Sequence, residues 1–518
     1  MKQCEQKYDI AVFGGGLGGI MAAISAAKSG KNVLLTEETD WIGGQLTSQC
    51  VPADEHKWIE STGCTSTYQQ FRKRVRAFYK AHFPISDEYK NVPALNPGMG
   101  FVSRITNDPR VSLHVLYEML MPFLCNGQIT LLLNTKAVAA ERDGRNITSV
   151  TICNGTKIIA SYFIDATETG YLLPLTQTAY RKGAEAKSET GEPHALDVAD
   201  PEEMQPITWV AAADFVPGGN FIIEKPAEYE YFRHMDAPFS DSCKVLSWYG
   251  PGHEIGQTMH CSMFGDGGTV PLWHYRRIAF NEVFKDDFMP YDATLINWPQ
   301  NDYFMDNIFD TEDDEKNLYM AKQLTLSFIY WLQTEAPRHD GGNGYPEIRM
   351  RGDITGTEDG LAKAPYIREG RRIIAEHTIL EQHITENCNA APPTVSDSVG
   401  VGCYRMDLHM TTRKRRHFYQ KAWPFEIPLG ALIPKDTDNL LPACKNIGTT
   451  QLTNGSFREH PTEWNIGESV GYLAAFALAK NVTPSVVRKD PELLKAFQQH
   501  LEANGIILHW DHAQIEPV

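Results

Sequence analysis

The chain has 518 residues, a formal net charge of −17, and 42% hydrophobic against 22% charged residues. That is the make-up of an ordinary globular protein long enough for two joined domains, and its acidity speaks against general nucleic-acid binding. Its ten cysteines include no C-x-x-C pair and no apolar run reaches membrane-spanning length, so we expect no metal, no membrane anchor and a reducing, cytoplasmic setting.

The N-terminal residues run directly into Tyr8–Phe13, an apolar strand, so we expect no signal peptide. Glycines follow at 14, 16 and 19, and an Ala-rich helix is expected from Ile20 to about Lys28. A second strand covers Lys31–Thr36 and ends at Glu37. This β-α-β spacing is that of a dinucleotide site. Gly14 makes the tight turn, Gly16 lets a pyrophosphate approach the backbone, and Gly19 allows close packing. The helix N-terminus offers free amides to phosphate, and an acid about 20 residues on accepts from a ribose. Gly43 and Gly44 let a second loop lean over the ligand, with Thr47, Ser48, Gln49 and His56 supplying polar groups.

Residues 57–125 read mostly as helices, 129–160 as a strand meander turning at Asp143-Gly144, and Tyr162–Thr167 as another buried strand. From 171 to 420 aromatics and prolines are frequent and the periodicity is irregular. We expect a mixed sheet with covering helices, the clearest over Glu312–Gln333. Pro365–His377 reads as a helix and Val401–Met410 as a strand. Leu440–Cys444 is a short strand, Asn446–Gln451 a polar loop, and Gly467–Lys480 an apolar helix.

Four of these stretches together resemble one family. Gly14–Gly19, Gly43-Gly44, Asp165-Ala-Thr167 and Leu440–Gly471 look like the FAD-contacting motifs of the glutathione-reductase-like flavoproteins. Arg368–Arg372, Asp397–Val399 and His460–Glu468 extend the likeness, over nearly the whole chain, to bacterial FAD-dependent oxidoreductases. Two positions depart from the pattern: Glu168 stands where glycine is usual, and Cys444-Lys445 where Ala-Gly is common. The resemblance implies an α/β fold: a Rossmann-like FAD-binding domain of glutathione-reductase type (1–170 and 421–518) with an inserted α+β substrate domain (171–420). It implies FAD rather than NAD. The cofactor contacts it implies are Gly14, Gly16, Leu17, Gly18, Gly19, Glu37, Glu38, Gly43, Gly44, Gln45, Val138, Ala166 and Thr167, with Asn465, Ile466 and Gly467 as helix amides facing the flavin.

The implied activity is hydride transfer from a small polar substrate, sugar-like or amino-acid-like, to the flavin, with electrons passed to a further acceptor. His460 and Glu463, just before the last apolar helix, are the first candidates for proton transfer, and His409, paired with Asp407 along a strand, the next. Tyr366, Arg368, Arg371 and Arg372 on one helix, with Arg349 and Arg351, offer an anion clamp; Arg351, Tyr366, Arg368 and Arg372 are the expected substrate contacts. Their other reading is ion pairing with Glu369 and Glu376. Expected partners are a small-molecule substrate and a possible second copy, with no nucleic acid and no membrane. The alternatives are a tRNA-modifying flavoprotein, disfavoured by the charge, an NAD(P)-dependent dehydrogenase without flavin, and a non-catalytic flavin carrier, disfavoured by the large aromatic insert.

Overall fold

A computed structural model describes residues 4–240, 242–252, 257–265, 267–285, 287–512 and 515–518. Its organising element is a seven-stranded sheet. The first strand, β1 (Glu5–Phe13), leads through the glycine turn into helix α1 (Leu17–Lys28) and strand β2 (Val33–Thr36). Helices α2 (Ser66–His82) and α3 (Pro109–Cys125) precede β3 (Ile129–Leu132), which completes a parallel edge. The meander follows as β4 (Ala137–Asp143), β5 (Asn146–Ile152) and β6 (Lys157–Asp165), in the order β3-β2-β1-β6-β5-β4.

On the side away from β1, strand β6 is shared between two partners. Its first residues pair antiparallel with β5, and its last three pair parallel with the short strand Leu440–Pro442 from the far end of the chain. Phe13, Thr36, Asp165 and Pro442 therefore finish in register along one edge. Carboxyl ends of parallel strands are where open α/β sheets present ligands.

Between these halves lie β7 (Ala211–Phe215), β8 (Arg277–Ala279), β9 (Ala293–Ile296) and β10 (Ile348–Met350), in the order β8-β9-β7-β10. All their pairings are antiparallel, where the sequence suggested a mixed sheet. Helix α4 (Asp314–Thr334) follows the expected span closely. Residues 365–377 are not helical. Arg372–Ile373 form a strand with Tyr180–Arg181, because Arg368, Arg371 and Arg372 reach partners on different elements, which one helical face cannot serve. The expected strand 401–410 is two pieces, Ser398–Gly402 and β11 (Met406–Leu408), the latter paired with β12 (Phe418–Gln420). With the pieces numbered in chain order, Leu440–Pro442 is β13.

The C-terminal region holds helix α5 (Gln451–Phe457), which the sequence reading took as loop, then α6 (His460–Lys480) and α7 (Pro491–Ala503). Helix α6 begins seven residues earlier than expected. Pro461 occupies its first turn, where no amide is needed, after Glu459 in extended conformation. Helix α6 lies directly on α1. A Cβ on Gly467 would sit 2.2 Å from the Gly18 carbonyl oxygen, and one on Gly471 2.3 Å from that of Ala22. Small residues on both helices thus set the backbone separation. Gly471→Ala should lower stability by about 1–3 kcal/mol despite alanine's better helix propensity, since added volume in a closed contact strains the backbone. A urea midpoint equal to or above wild type would show that the two helices separate freely.

Candidate cofactor and reaction site

The turn after β1 is built by close approach. Gly14 has φ +101°, and a Cβ there would lie 2.2 Å from the Ala166 carbonyl oxygen. A Cβ on Gly18 would come within 1.6 Å of the Ala443 oxygen, and one on Gly19 within 1.9 Å of Gly14. Gly16 differs. Its φ is an ordinary −65°, and a Cβ would meet only the carboxylates of Glu168 (2.9 Å) and Glu463 (3.5 Å). This is the side open to a ligand. Gly16 offers α1 no side-chain cap, and Glu463 takes the Gly18 amide, so an anion is left the other amides of the first turn.

A cavity of about 250 Å³ lies here, lined by Gly14, Gly16, Glu37, Glu38, Gly44, Ala166 and Thr167 among the expected contacts. Thr39, Ser48, Gln49, Glu168, Thr169, Ile308, Leu318, Ala364, Pro365 and Ile367 complete it. Glu37 accepts from the Gly15 amide (2.9 Å) and from the Thr39 amide and hydroxyl (2.8 Å each). Burial outweighs these bonds and raises its pKa to about 7. Burial also raises Glu38.

The other expected contacts sit elsewhere. Leu17, Gly18, Gly19 and Gly43 are packed beside the turn; Val138 is 43% exposed on the meander and outside the cavity lining. Asn465, Ile466 and Gly467 lie in the second turn of α6, where helical amides already have partners, so they offer no free N–H to a flavin. The Asn465 side chain instead accepts from Val401 and donates to Val399 and Ser469.

The two departures from the family pattern meet at this turn. Glu463, in the first turn of α6, accepts from the Gly18 amide (3.1 Å). Lys445 is buried between Glu463 (3.5 Å) and Glu168, its closer partner. One Glu168 oxygen, Oε1, is buried without a hydrogen-bond partner in the cavity wall. Backbone of the glycine turns and the Glu37 carboxylate, an acceptor for ribose hydroxyls, both line the cavity, so the residues present fit a dinucleotide.

Gln45 connects this turn to a second buried group. Its Nε2 donates to Glu463 and to the Arg458 carbonyl (3.1 Å). Beyond it stand Asp54, Arg276, Tyr366, Arg458, Glu459 and His460. Arg276 lies 3.6 Å from Asp54, and Arg458 lies 3.2 Å from Glu459 and donates to Tyr366 (2.7 Å) and Asp407 (3.3 Å). Burial raises the Asp54 carboxyl and Glu459 adds to it, while Arg276 opposes. The His460 Nδ1 accepts from the Asp54 amide (3.1 Å). That bond fixes the neutral ring as the Nε2–H tautomer, a donor. The expected proton acceptor is therefore a hydrogen-bond donor, and among the described residues its Nε2 is buried without a partner, as are both Glu459 oxygens apart from the Arg458 ion pair. Asp54, Glu459 and His460 could be taken for a metal set from their closeness. The tautomer argues otherwise, since the ring nitrogen left free carries a proton.

His409 donates from Nδ1 to Asp302 (2.6 Å) and has Asp407 3.7 Å from Nε2. Burial would raise Asp407, but His409 and Arg458 hold it far below the carboxylate range. Of the expected substrate contacts, only Tyr366 joins the buried cluster. Arg368 pairs with Asp302 (2.9 Å), Arg372 with Glu369 and Glu185, and Arg351 with Asp214 and Asp353. Glu376 pairs with Arg488 and Lys489 instead. The clamp is thus a set of separate ion pairs. Asp54, Glu168, Arg276, Lys445, Arg458 and Glu459 were not chosen from sequence; only the two departures and the adjacency of 458–459 to His460 hinted at them.

A family model described as FAD dependent oxidoreductase matches residues 9–501. No curated protein matches the chain. Among solved structures, the L-proline dehydrogenase from P. horikoshii is 17% identical over 36% of this chain and 25% of its own, with a TM-score of 0.19. This chain thus spans about a quarter of that protein. A geranylgeranyl bacteriochlorophyll reductase-like protein from Thermoplasma acidophilum is 10% identical over 97% of this chain and 85% of its own (TM-score 0.34). OxyS anhydrotetracycline hydroxylase from Streptomyces rimosus is 12% identical over 96% and 66% (TM-score 0.33). Among the described residues no helix is long and apolar enough to cross a membrane.

Gly16→Val should give a folded protein, by circular dichroism, that no longer retains FAD, because the branched side chain enters the cavity wall. Full flavin occupancy in this variant removes the turn from the cofactor site. If ribose hydroxyls donate to ionised Glu37, binding must expel its proton at acidic pH. FAD affinity should then rise with pH up to about 7, by at most about tenfold per unit, and level off above it. Glu37→Gln should flatten that profile; an unchanged slope in the variant assigns the effect to another group.

Proposed function

Since the chain belongs to the family of FAD-dependent oxidoreductases, we propose that it oxidises a small polar substrate, sugar-like or amino-acid-like, at the buried cluster around Asp54, Arg458, Glu459 and His460. FAD, when bound, supplies a two-electron acceptor for hydride. The finer fold assignment, a glutathione-reductase type of cofactor domain with residues 171–420 as substrate cover, is part of the same proposal.

The observation that carries the reading is Gln45. One amide group holds both Glu463 of the cofactor turn and the backbone of Arg458. The polar cluster is thereby tied to the end of the cofactor site, and its charges are shielded from water. Its unpartnered groups match a reacting hydroxyl or amine. The His460 Nε2–H donates to the substrate heteroatom, and Glu459 or Asp54 receives the proton released as the carbon is oxidised. Arg276 stands 3.6 Å from Asp54 and Arg458 3.2 Å from Glu459, so each carboxylate has a cation beside it.

The test is anaerobic mixing of the FAD-loaded protein with sugars, sugar acids and amino acids while flavin absorbance is followed. His460→Ala should keep its FAD yet reduce it about 10²–10³-fold more slowly, the usual worth of one preorganised donor. Wild-type reduction by the variant would take His460 out of the reaction and leave Glu459 and Asp54 without their partner.

A further inference from the structure

A larger cavity of about 750 Å³ lies beside this cluster, between Glu55–Lys57, the segment 92–104 and Cys403–Arg405. It adjoins the cluster at three places. Glu55 follows Asp54 in the chain. Tyr404, in the cavity wall, reaches Asp407 with its hydroxyl (3.4 Å) and faces the Arg458 guanidinium across its ring (5.8 Å). Phe101, also in the wall, packs 5.1 Å from the ring of Tyr275, next to Arg276.

The charges lining this cavity are unevenly matched. Glu55 is bound by Arg72, Tyr68 and Ser103, and Glu60 by Arg72 and Arg76. Lys57 is paired with Glu516. Arg104 and Arg405 have no carboxylate at ion-pair distance among the described residues. Arg405 Nε is buried without a hydrogen-bond partner, and its guanidinium stands 5.6 Å from the Tyr404 ring. In a chain of net charge −17, two unpaired guanidiniums in one cavity are an anion site in waiting. Apolar surface is exposed beside them, at Met99 (43%) and Phe101 (54%). His56 adds a directional group. Its Nε2 bonds the Gly63 carbonyl (3.2 Å), and burial with the nearby Arg72 keeps the ring neutral, its pKa lowered to about 4. The Nδ1 is then an acceptor, and it is buried without a partner.

We propose that this cavity binds an organic carboxylic acid, with the carboxylate on Arg405 and Arg104, an apolar or ring body on Phe101 and Tyr404, and a hydroxyl or amine donating to His56 Nδ1. Only the further step, that this acid is the trailing half of the substrate oxidised beyond Tyr404, rests on the function proposed above.

Binding is measured without turnover, on the FAD-loaded protein, with 8-anilino-1-naphthalenesulfonate as fluorescent anion. One probe should bind per chain. Phenylacetate should displace it, and phenylacetamide, which lacks only the charge, should need at least about tenfold more. Arg405→Met should weaken both the probe and phenylacetate about tenfold or more, and Arg104→Met, at an exposed side chain that leaves folding untouched, should act in the same direction. Arg181→Met, outside the cavity, should change nothing. Absence of probe binding, equal displacement by acid and amide, or indifference to both arginine variants overturns the proposal. If acids bind but none bleaches the flavin, the cavity stands as a binding site and the assignment of the neighbouring cluster as its reaction centre fails.

Discussion

The structure depends on one backbone contact, the seating of the first turn of α1 between the end of β13 and the first turns of α6. Gly18 touches the Ala443 carbonyl at a distance that no side chain could share, and Gly467 closes over Gly18 from the other side. The Glu463 carboxylate then accepts from the Gly18 amide. Segments separated by 445 positions are thereby locked into one turn. A helix N-terminus is useful for binding an anion only if its amides are held in place and kept dry, and this packing does both.

One chain of buried polar groups runs outward from that lock. Glu463 leads through Gln45 to Arg458, and Arg458 leads to Tyr366, Asp407 and Glu459. Burying so many charges is costly unless each is paired, and most are. The exceptions stand out for that reason. Among the described residues, Glu168 Oε1, His460 Nε2 and the Glu459 carboxylate lack hydrogen-bond partners, the groups that the proposed cofactor and substrate would complete. The histidine shows how a neighbour settles chemistry. A single amide, that of Asp54, decides which ring nitrogen carries the proton and turns an expected base into a donor.

Departures from a family pattern proved informative together rather than singly. Glu168 in place of glycine would put an unpaired carboxylate beside the turn, and Lys445 in place of glycine would bury a lone ammonium. Side by side they form a buried pair, with Glu463 as third member. Each substitution is tolerable because the other is present, a coupling that linear spacing conceals.

The sequence by itself determined the β-α-β unit, the strand meander and the long helix at 314–334. These rest on local rules: apolar periodicity, glycine freedom at a turn, and the pairing of neighbours in the chain. It also carried the family and its flavin, through motifs whose residue types are dictated by backbone approach. Tertiary structure alone decided the rest. Residues 365–377 read as a basic helix, yet their arginines are drawn to Asp302, Asp310 and Glu185 on separate elements, and the backbone extends to let them reach. The start of α6 at His460 turned on Pro461 being a first-turn residue rather than a break, and this moved the expected flavin-facing amides into the helix interior. Asp54, Arg276 and Tyr404 gave no sequence signal, because their meeting with Glu459 and His460 depends on charges buried together across hundreds of residues. Such pairings are fixed by desolvation, which acts on neighbours in space and leaves no period in the chain.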